Sequence, residues 1–231
     1  METVFPPRAR SIATVAGSDA GFPIGRIFCV GRNYAAHARE MGSYDREPPF
    51  FFTKDADAYA PDGALIPYPP ATQNYHHEVE LVVAIGAEGF DISAATAASL
   101  IFGYAVGLDM TRRDLQQQAK EAGKPWSTAK NFPQSAPLSA IRAVASTGAL
   151  LSGAILLKVN GGLRQSGDIA DMIWSVEETL MHLSRLYTLR PGDLVFTGTP
   201  EGVGPVQSGD VLDASIEGVG NLRVTIGAAR S

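Results

Sequence analysis

Apolar and polar positions along the chain separate strands from helices. The run "RIFCVGRNY" is short and apolar, without helical spacing, and predicts a strand that leads into "AAHAREMG", a stretch of helical composition closed by Gly42. "SYDREPPFFF" reads as a proline-interrupted loop and "PPFFFTKD" resumes as strand, while "PDGALIPYPPATQNYHH" predicts a long surface connection without regular structure. "EVELVVAIG" predicts a strand, "DISAATAASLI" an alanine-rich helix, "FGYAVGLDM" a second apolar strand, and "TRRDLQQQAKEAG" a helix ended by Gly123. Further on, "AILLKVNGGLRQSGD" predicts a hairpin turning at Asn160 and Gly161, and "GDLVFTGTP" and "GDVLDASIEGVGNLRVTIG" predict short strands. One helix, "SVEETLMHLSRLY", lies among them. Helices thus fall mostly in the first half and strands in the second, which predicts an α+β domain. Residues 1–22, broken by Pro6, Pro7 and "GSDAG", read as a lead segment before a single domain over 23–231.

The strand "EVELVVAIG" carries two carboxylates where apolar residues belong. Side chains alternate along a strand, so Glu78 and Glu80 share one face while Val79 and Leu81 share the other. Like charges held this close raise each other's pKa and are costly to bury unless a cation joins them. The same pattern also fits an edge strand with one solvated face. Asp109, at the end of "FGYAVGLDM", adds a third carboxylate at a strand terminus, where sites are commonly built. Three carboxylates form a hard-oxygen set that selects Mg2+, Mn2+ or Ca2+ over zinc.

Composition narrows what such a site can serve. The chain has 231 residues, 45% apolar and 19% charged, enough for a sizeable core. Its net charge of −5 argues against nucleic-acid and membrane-surface partners, so an anionic ligand needs a local cluster of cations. The single cysteine, Cys29, lies in an apolar run and excludes an intramolecular disulfide or a thiolate cluster. "METVFPPRARS" lacks the apolar core of a signal peptide, and no apolar run reaches membrane-spanning length, so the expected location is cytoplasmic.

Cations and acid–base groups flank the carboxylates in sequence. Arg113 and Gln116 follow Asp109 at i+4 and i+7, which predicts one shared helix face; an arginine there takes a carboxylate bidentately and a glutamine adds a directional amide. Lys130, in the loop "PWSTAKNF" between Trp126 and Phe132, is a candidate cation beside developing negative charge. His37 and Glu40, at i and i+3, form a candidate dyad for activating water, flanked by loops from which a lid can be built. Each of these also fits a solvated surface group. His76 and His77 read as ordinary polar residues at a strand start.

Together, "GRNYAAHAREMG", "HHEVELVVAIG", "GYAVGLDMTRRDLQ", "KPWSTAKNF", "LKVNGGLRQSG" and "GDLVFTGTPEGVGPV" resemble the fumarylacetoacetate hydrolase family, in its short acylpyruvase and fumarylpyruvate hydrolase branch. The resemblance runs from about Pro23 onward. It implies the family's C-terminal-domain fold, a mixed β-sandwich roll with peripheral helices, usually dimeric. It implies Mg2+ or Mn2+ held by Glu78, Glu80 and Asp109, substrate contacts from Arg113, Gln116 and Thr199, and catalytic roles for His37, Glu40 and Lys130. The implied reaction is hydrolytic cleavage of a small anionic 2,4-diketo acid, fumarylpyruvate first. Oxaloacetate decarboxylation or keto–enol tautomerisation is the alternative.

Overall fold

The strand that carries Glu80 is central rather than at an edge. The computed structural model describes residues 3–6, 8–34 and 47–229. Its larger sheet runs, edge to edge, Phe50–Lys54, Ile27–Gly31, Leu194–Phe196, Val79–Ile85, Ile101–Leu108, Ala136–Leu138 and Tyr59–Pro61, with Arg142–Ala143 also paired to Ile101–Leu108. A five-stranded sheet packs against it in the order Gly162–Asp168, Ala154–Val159, Val211–Ile216, Gly220–Gly227, Leu65–Pro67. Both sheets mix parallel and antiparallel pairs, so the architecture is the expected mixed β-sandwich roll.

Periodicity explains which faces are covered. Ala154–Val159 and Val211–Ile216 alternate buried with more exposed positions, so the smaller sheet turns one face to the interior. Every residue of Val79–Ile85 is buried. Val79, Leu81, Val83 and Ile85 pack into the core between the sheets, with Ile155, Leu157, Leu212 and Val224 from the other side. Val82 and Ala84 join a second cluster with Cys29, Phe196 and Leu138 on the opposite face of the large sheet. Ile12–Ala13 pairs with Phe22–Pro23, and Ala13, Phe22 and Ile24 pack into that second cluster. Full burial of a Val or Leu is worth roughly 1.5–3 kcal/mol, and this apolar strand supplies the rigidity that a buried carboxylate on it requires.

Several local expectations are met. Asn160 and Gly161 both take positive φ, 52° and 80°, as a type I′ hairpin turn requires. The helix Arg113–Glu121 ends at Ala122 and Gly123, the latter at φ 61°. The helix expected in "SVEETLMHLSRLY" runs Val176–Leu186, and the structure adds a reciprocal capping box between Ser175 and Glu178 at its start.

Other expectations are corrected. The alanine-rich stretch is a single helical turn, Ala94–Ala97, followed by a 3-10 turn, because Ile101 already belongs to the next strand. The proline-rich connection contains two short strands, Leu65–Pro67 and Tyr75–His77, and a third, Tyr59–Pro61, ends at its first residue. Pro61 and Pro67 close strands that lie at the edges of the two sheets, where a missing N–H costs no ladder bond. Strands are not concentrated in the second half, since six of the seven strands on the path of the large sheet come from before residue 140. Local propensity does not reveal which short runs find a partner. Among the described residues no helix is long and apolar enough to cross a membrane.

Candidate active site

Strand register brings the three carboxylates together. Val79 pairs with Leu108 and Glu80 with Gly107, which continues to Glu78 beside Asp109, where the Asp109 amide donates to the Glu78 carbonyl at 2.8 Å. Glu78, Glu80 and Asp109 are buried, and an oxygen from each lies within 4.8 Å of the others. That is the scale of two bonds of about 2.1 Å to a shared ion.

Cations meet this cluster from three elements. Lys130 Nζ lies 2.7 Å from Glu78 Oε2, 2.7 Å from Asp109 Oδ2 and 2.7 Å from Thr111 Oγ1. It is no loop residue, since it ends the one-turn helix Ser127–Lys130, and it is 2% exposed. Burial works against its charge, but Asp109 and Glu78 outweigh that and the net shift is upward, so Lys130 is an ammonium. Arg113 donates to Glu78 Oε1 and to Gln116 Oε1. The expected i+4 and i+7 face from Asp109 is incorrect, because the helix begins only at Arg113. Arg113 reaches Glu78 instead because Thr111–Arg112 pairs antiparallel with Tyr75–His77, the segment just before Glu78.

Glu80 stands apart from these ion pairs. Its Oε2 accepts from the Gly198 amide at 2.7 Å. Gly198 has φ 98°, and a Cβ there would lie 2.7 Å from that of Asn33, so glycine lets the loop come this close. Burial first, then Asp109 and Glu78, push the Glu80 carboxyl well above the usual carboxylate range. A divalent cation is the partner that would reverse this shift. Asp109 Oδ1 points the same way: Lys54 Nζ is 2.9 Å from it as an ion pair, yet this buried oxygen accepts no hydrogen bond. The donor set, all carboxylate oxygen with spare lone pairs, fits Mg2+ or Mn2+.

All seven candidates within the described residues, Glu78, Glu80, Asp109, Arg113, Gln116, Lys130 and Thr199, line one cavity of about 30 Å3. His37 and Glu40 lie outside the described residues. Three residues that sequence reasoning passed over support the cavity. Lys54, at the end of Phe50–Lys54, is buried and also donates to the carbonyls of Met110 and Lys130 and to Ser135 Oγ. Gln165 accepts from the Val79 amide and from His77 Nδ1 and donates to Thr199 Oγ1 at 2.8 Å, so it ties the carboxylate strand to the threonine loop. No local sequence signal marked it, because its immediate neighbours in "GLRQSGD" are polar as well. Arg32 lines the cavity itself.

The two histidines are neutral supports. Burial first, then Arg113, lowers His76 to about 4, so its Nδ1 accepts from Arg113 Nε at 3.4 Å. Burial also lowers His77. Cys29 is buried and its pKa is raised by desolvation, which leaves it unreactive.

Comparisons with known proteins agree with this geometry. The chain is 47% identical over 184 residues to the fumarylpyruvate hydrolase of Ralstonia sp, covering 79% of this chain and 95% of that protein. It is 44% identical over 200 residues to the mitochondrial oxaloacetate tautomerase FAHD1 of Mus musculus, covering 87% of this chain and 90% of that protein. Among solved structures, fumarylpyruvate hydrolase from Pseudomonas aeruginosa in complex with Mn2+ and pyruvate superposes with a TM-score of 0.96 at 51% identity, over 98% of this chain and 100% of that one. Residues 26–227 match the model described as Fumarylacetoacetate (FAA) hydrolase C-terminal, and the chain belongs to the fumarylacetoacetate hydrolase family.

Proposed function

We propose that the protein hydrolyses the C3–C4 bond of fumarylpyruvate to give fumarate and pyruvate. Family membership makes it an enzyme of carbon–carbon bond hydrolysis, and the substrate is the finer statement. The observation that carries the reading is the buried Glu78, Glu80 and Asp109 cluster with Lys130 seated on it, in a chain about half identical to fumarylpyruvate hydrolases.

Glu78, Glu80 and Asp109 would hold Mg2+ or Mn2+, which supplies Lewis acidity and a template for an α-keto acid. Arg113 and Gln116 present an N–H fork and an amide to the substrate carboxylate. Lys130 keeps its proton at Nζ and faces the oxygen on which negative charge develops. His37 with Glu40 would take a proton from water; the water oxygen bonds to C4 and the C3–C4 bond breaks. The electron pair passes into the pyruvate enolate, and protonation at C3 completes pyruvate.

With Mn2+ added, kcat/KM is expected to be highest on fumarylpyruvate in a panel with maleylpyruvate, acetylpyruvate and oxaloacetate. Survival of that activity after complete chelation would remove the metal from the reading. The 44% identity to an oxaloacetate tautomerase supports a second reading, keto–enol conversion of oxaloacetate, which needs no attacking water. The two separate at His37: His37→Ala is expected to lower diketo-acid hydrolysis by about 10²- to 10⁴-fold, the usual worth of a general base, and to leave oxaloacetate conversion nearly intact. Equal loss of both would take His37 out of water activation.

A further inference from the structure

The cavity combines a charged cluster with an aromatic wall. Glu78, Glu80 and Asp109 are ion-paired or hydrogen-bonded to Lys130, Arg113, Lys54 and the Gly198 amide. The wall starts at this cluster with Phe52, whose ring centre lies 5.2 Å from Lys130 Nζ, and continues to Trp126, with Phe50 packed edge-on against it at 5.2 Å. Arg32 also lines the cavity, its guanidinium carbon 5.8 Å from the Phe50 ring centre.

Three features distinguish Arg32 from the other cations of the site. It is half-buried and lines the cavity, yet among the described residues it has no carboxylate partner, and its buried Nε has no hydrogen-bond acceptor. Leaving a buried charged donor unpaired is costly, so the position favours an anion that arrives from outside. Its backbone is in the left-handed region at φ 60°, uncommon for a non-glycine residue. Such strain is typical of functional positions. Gly31 allows the arrangement: a Cβ there would lie 2.0 Å from Phe50 Cζ, so the ring rests directly on the backbone that precedes Arg32.

We infer that Arg32 receives the carboxylate at the far end of a dicarboxylic diketo acid and so sets the preference for a fumaryl over an acetyl group. The inference rests on the hydrolase reading above. A substrate whose α-keto acid end sits on the carboxylate cluster runs along the aromatic wall, which suits a planar unsaturated chain, and ends beside the one unpaired guanidinium among the described cavity residues. Arg113 is unsuited to that role because it stands on Glu78, at the carboxylate cluster itself. A guanidinium fork on a carboxylate gives both charge and direction, which an acetyl group cannot use.

The test is steady-state kinetics of the Mn2+-loaded protein with Arg32→Asn and Arg32→Lys on fumarylpyruvate and acetylpyruvate, with binding of fumarate and pyruvate measured by calorimetry. Asparagine tolerates the left-handed conformation, so Arg32→Asn removes the guanidinium with little added strain. It is expected to raise KM for fumarylpyruvate roughly 10- to 100-fold, with kcat and the acetylpyruvate KM within about 2-fold. Fumarate binding should weaken in parallel and pyruvate binding should not. Arg32→Lys should recover part of the loss, as a point charge without the fork. An equal loss on both substrates, or no loss on fumarylpyruvate, overturns the inference. If the wild type turns over neither diketo acid while fumarate binding still depends on Arg32, the hydrolase reading fails and the carboxylate site stands; fumarate binding indifferent to Arg32 removes the site. Should Arg32→Asn not fold, Arg32→Lys alone carries the comparison, through a smaller shift confined to fumarylpyruvate and fumarate.

Discussion

Glu80→Gln is expected to lower kcat on the physiological keto acid by at least about 10³-fold, because several kcal/mol of Lewis-acid stabilisation leaves with the metal and each 1.36 kcal/mol is a factor of ten. The substitution keeps the side-chain volume and leaves one oxygen to accept from Gly198, so the local packing of the loop is retained. What it removes is a charged ligand at the centre of the cluster. Its effect on stability should run the other way. The Glu80 carboxyl is pushed above its ordinary range in the folded protein, by burial and then by Asp109 and Glu78, so near neutral pH its ionisation costs folding free energy. A neutral amide removes that cost. The metal-free variant should therefore unfold at the same temperature as the wild type or higher, while the rise in Tm on adding Mn2+ should disappear. Thermal unfolding with and without Mn2+, alongside turnover, reads both effects. A variant that keeps its Mn2+ shift and its activity would dismiss Glu80 as a ligand.

Lys54→Met is expected to destabilise the metal-free protein by about 3–5 kcal/mol, the range found when one partner of a buried ion pair is removed. The side chain is fully buried, paired to Asp109 Oδ1 at 2.9 Å, and donates to Met110 O, Lys130 O and Ser135 Oγ. Methionine fills a similar volume but removes the donor to the Met110 carbonyl and leaves Asp109 with one cation fewer. The double variant Lys54→Met/Asp109→Asn should recover part of the loss, since it removes both charges, and the difference isolates the pair. Urea unfolding of the four proteins in the cycle measures this. A loss within about 1 kcal/mol would place Lys54 in the much weaker class of solvent-screened pairs.

These two residues also mark how legible the site was in the chain. Glu80 declared itself by breaking an apolar run. Lys54 ends the strand "FFFTK" like any solvated lysine, and nothing local says that this end is roofed by the backbone of Met110 and Lys130. Gln165 was likewise hidden among polar neighbours in "GLRQSGD", although it is the single fully buried residue of that strand. Arg113 and Gln116 were placed at the site for a wrong local reason. The helix does not contain Asp109, and strand pairing rather than helix periodicity brings Arg113 to Glu78.

The sequence by itself determined the hairpin at Asn160 and Gly161, the helix stop at Gly123, the helix within "SVEETLMHLSRLY" and the identity of the three carboxylates, because each depends on local stereochemistry or on a charge where hydrocarbon is required. Only the tertiary structure decided that the Glu80 strand is central, that the proline-rich connection supplies an edge strand to the smaller sheet, and that Lys54, Gln165 and Arg32 belong to the site. Those outcomes depend on which segments pair across long stretches of chain and on where the resulting surfaces exclude water. Burial turns an ordinary lysine or arginine into a costly charge that must find a partner, and burial is a property of the assembled sheets.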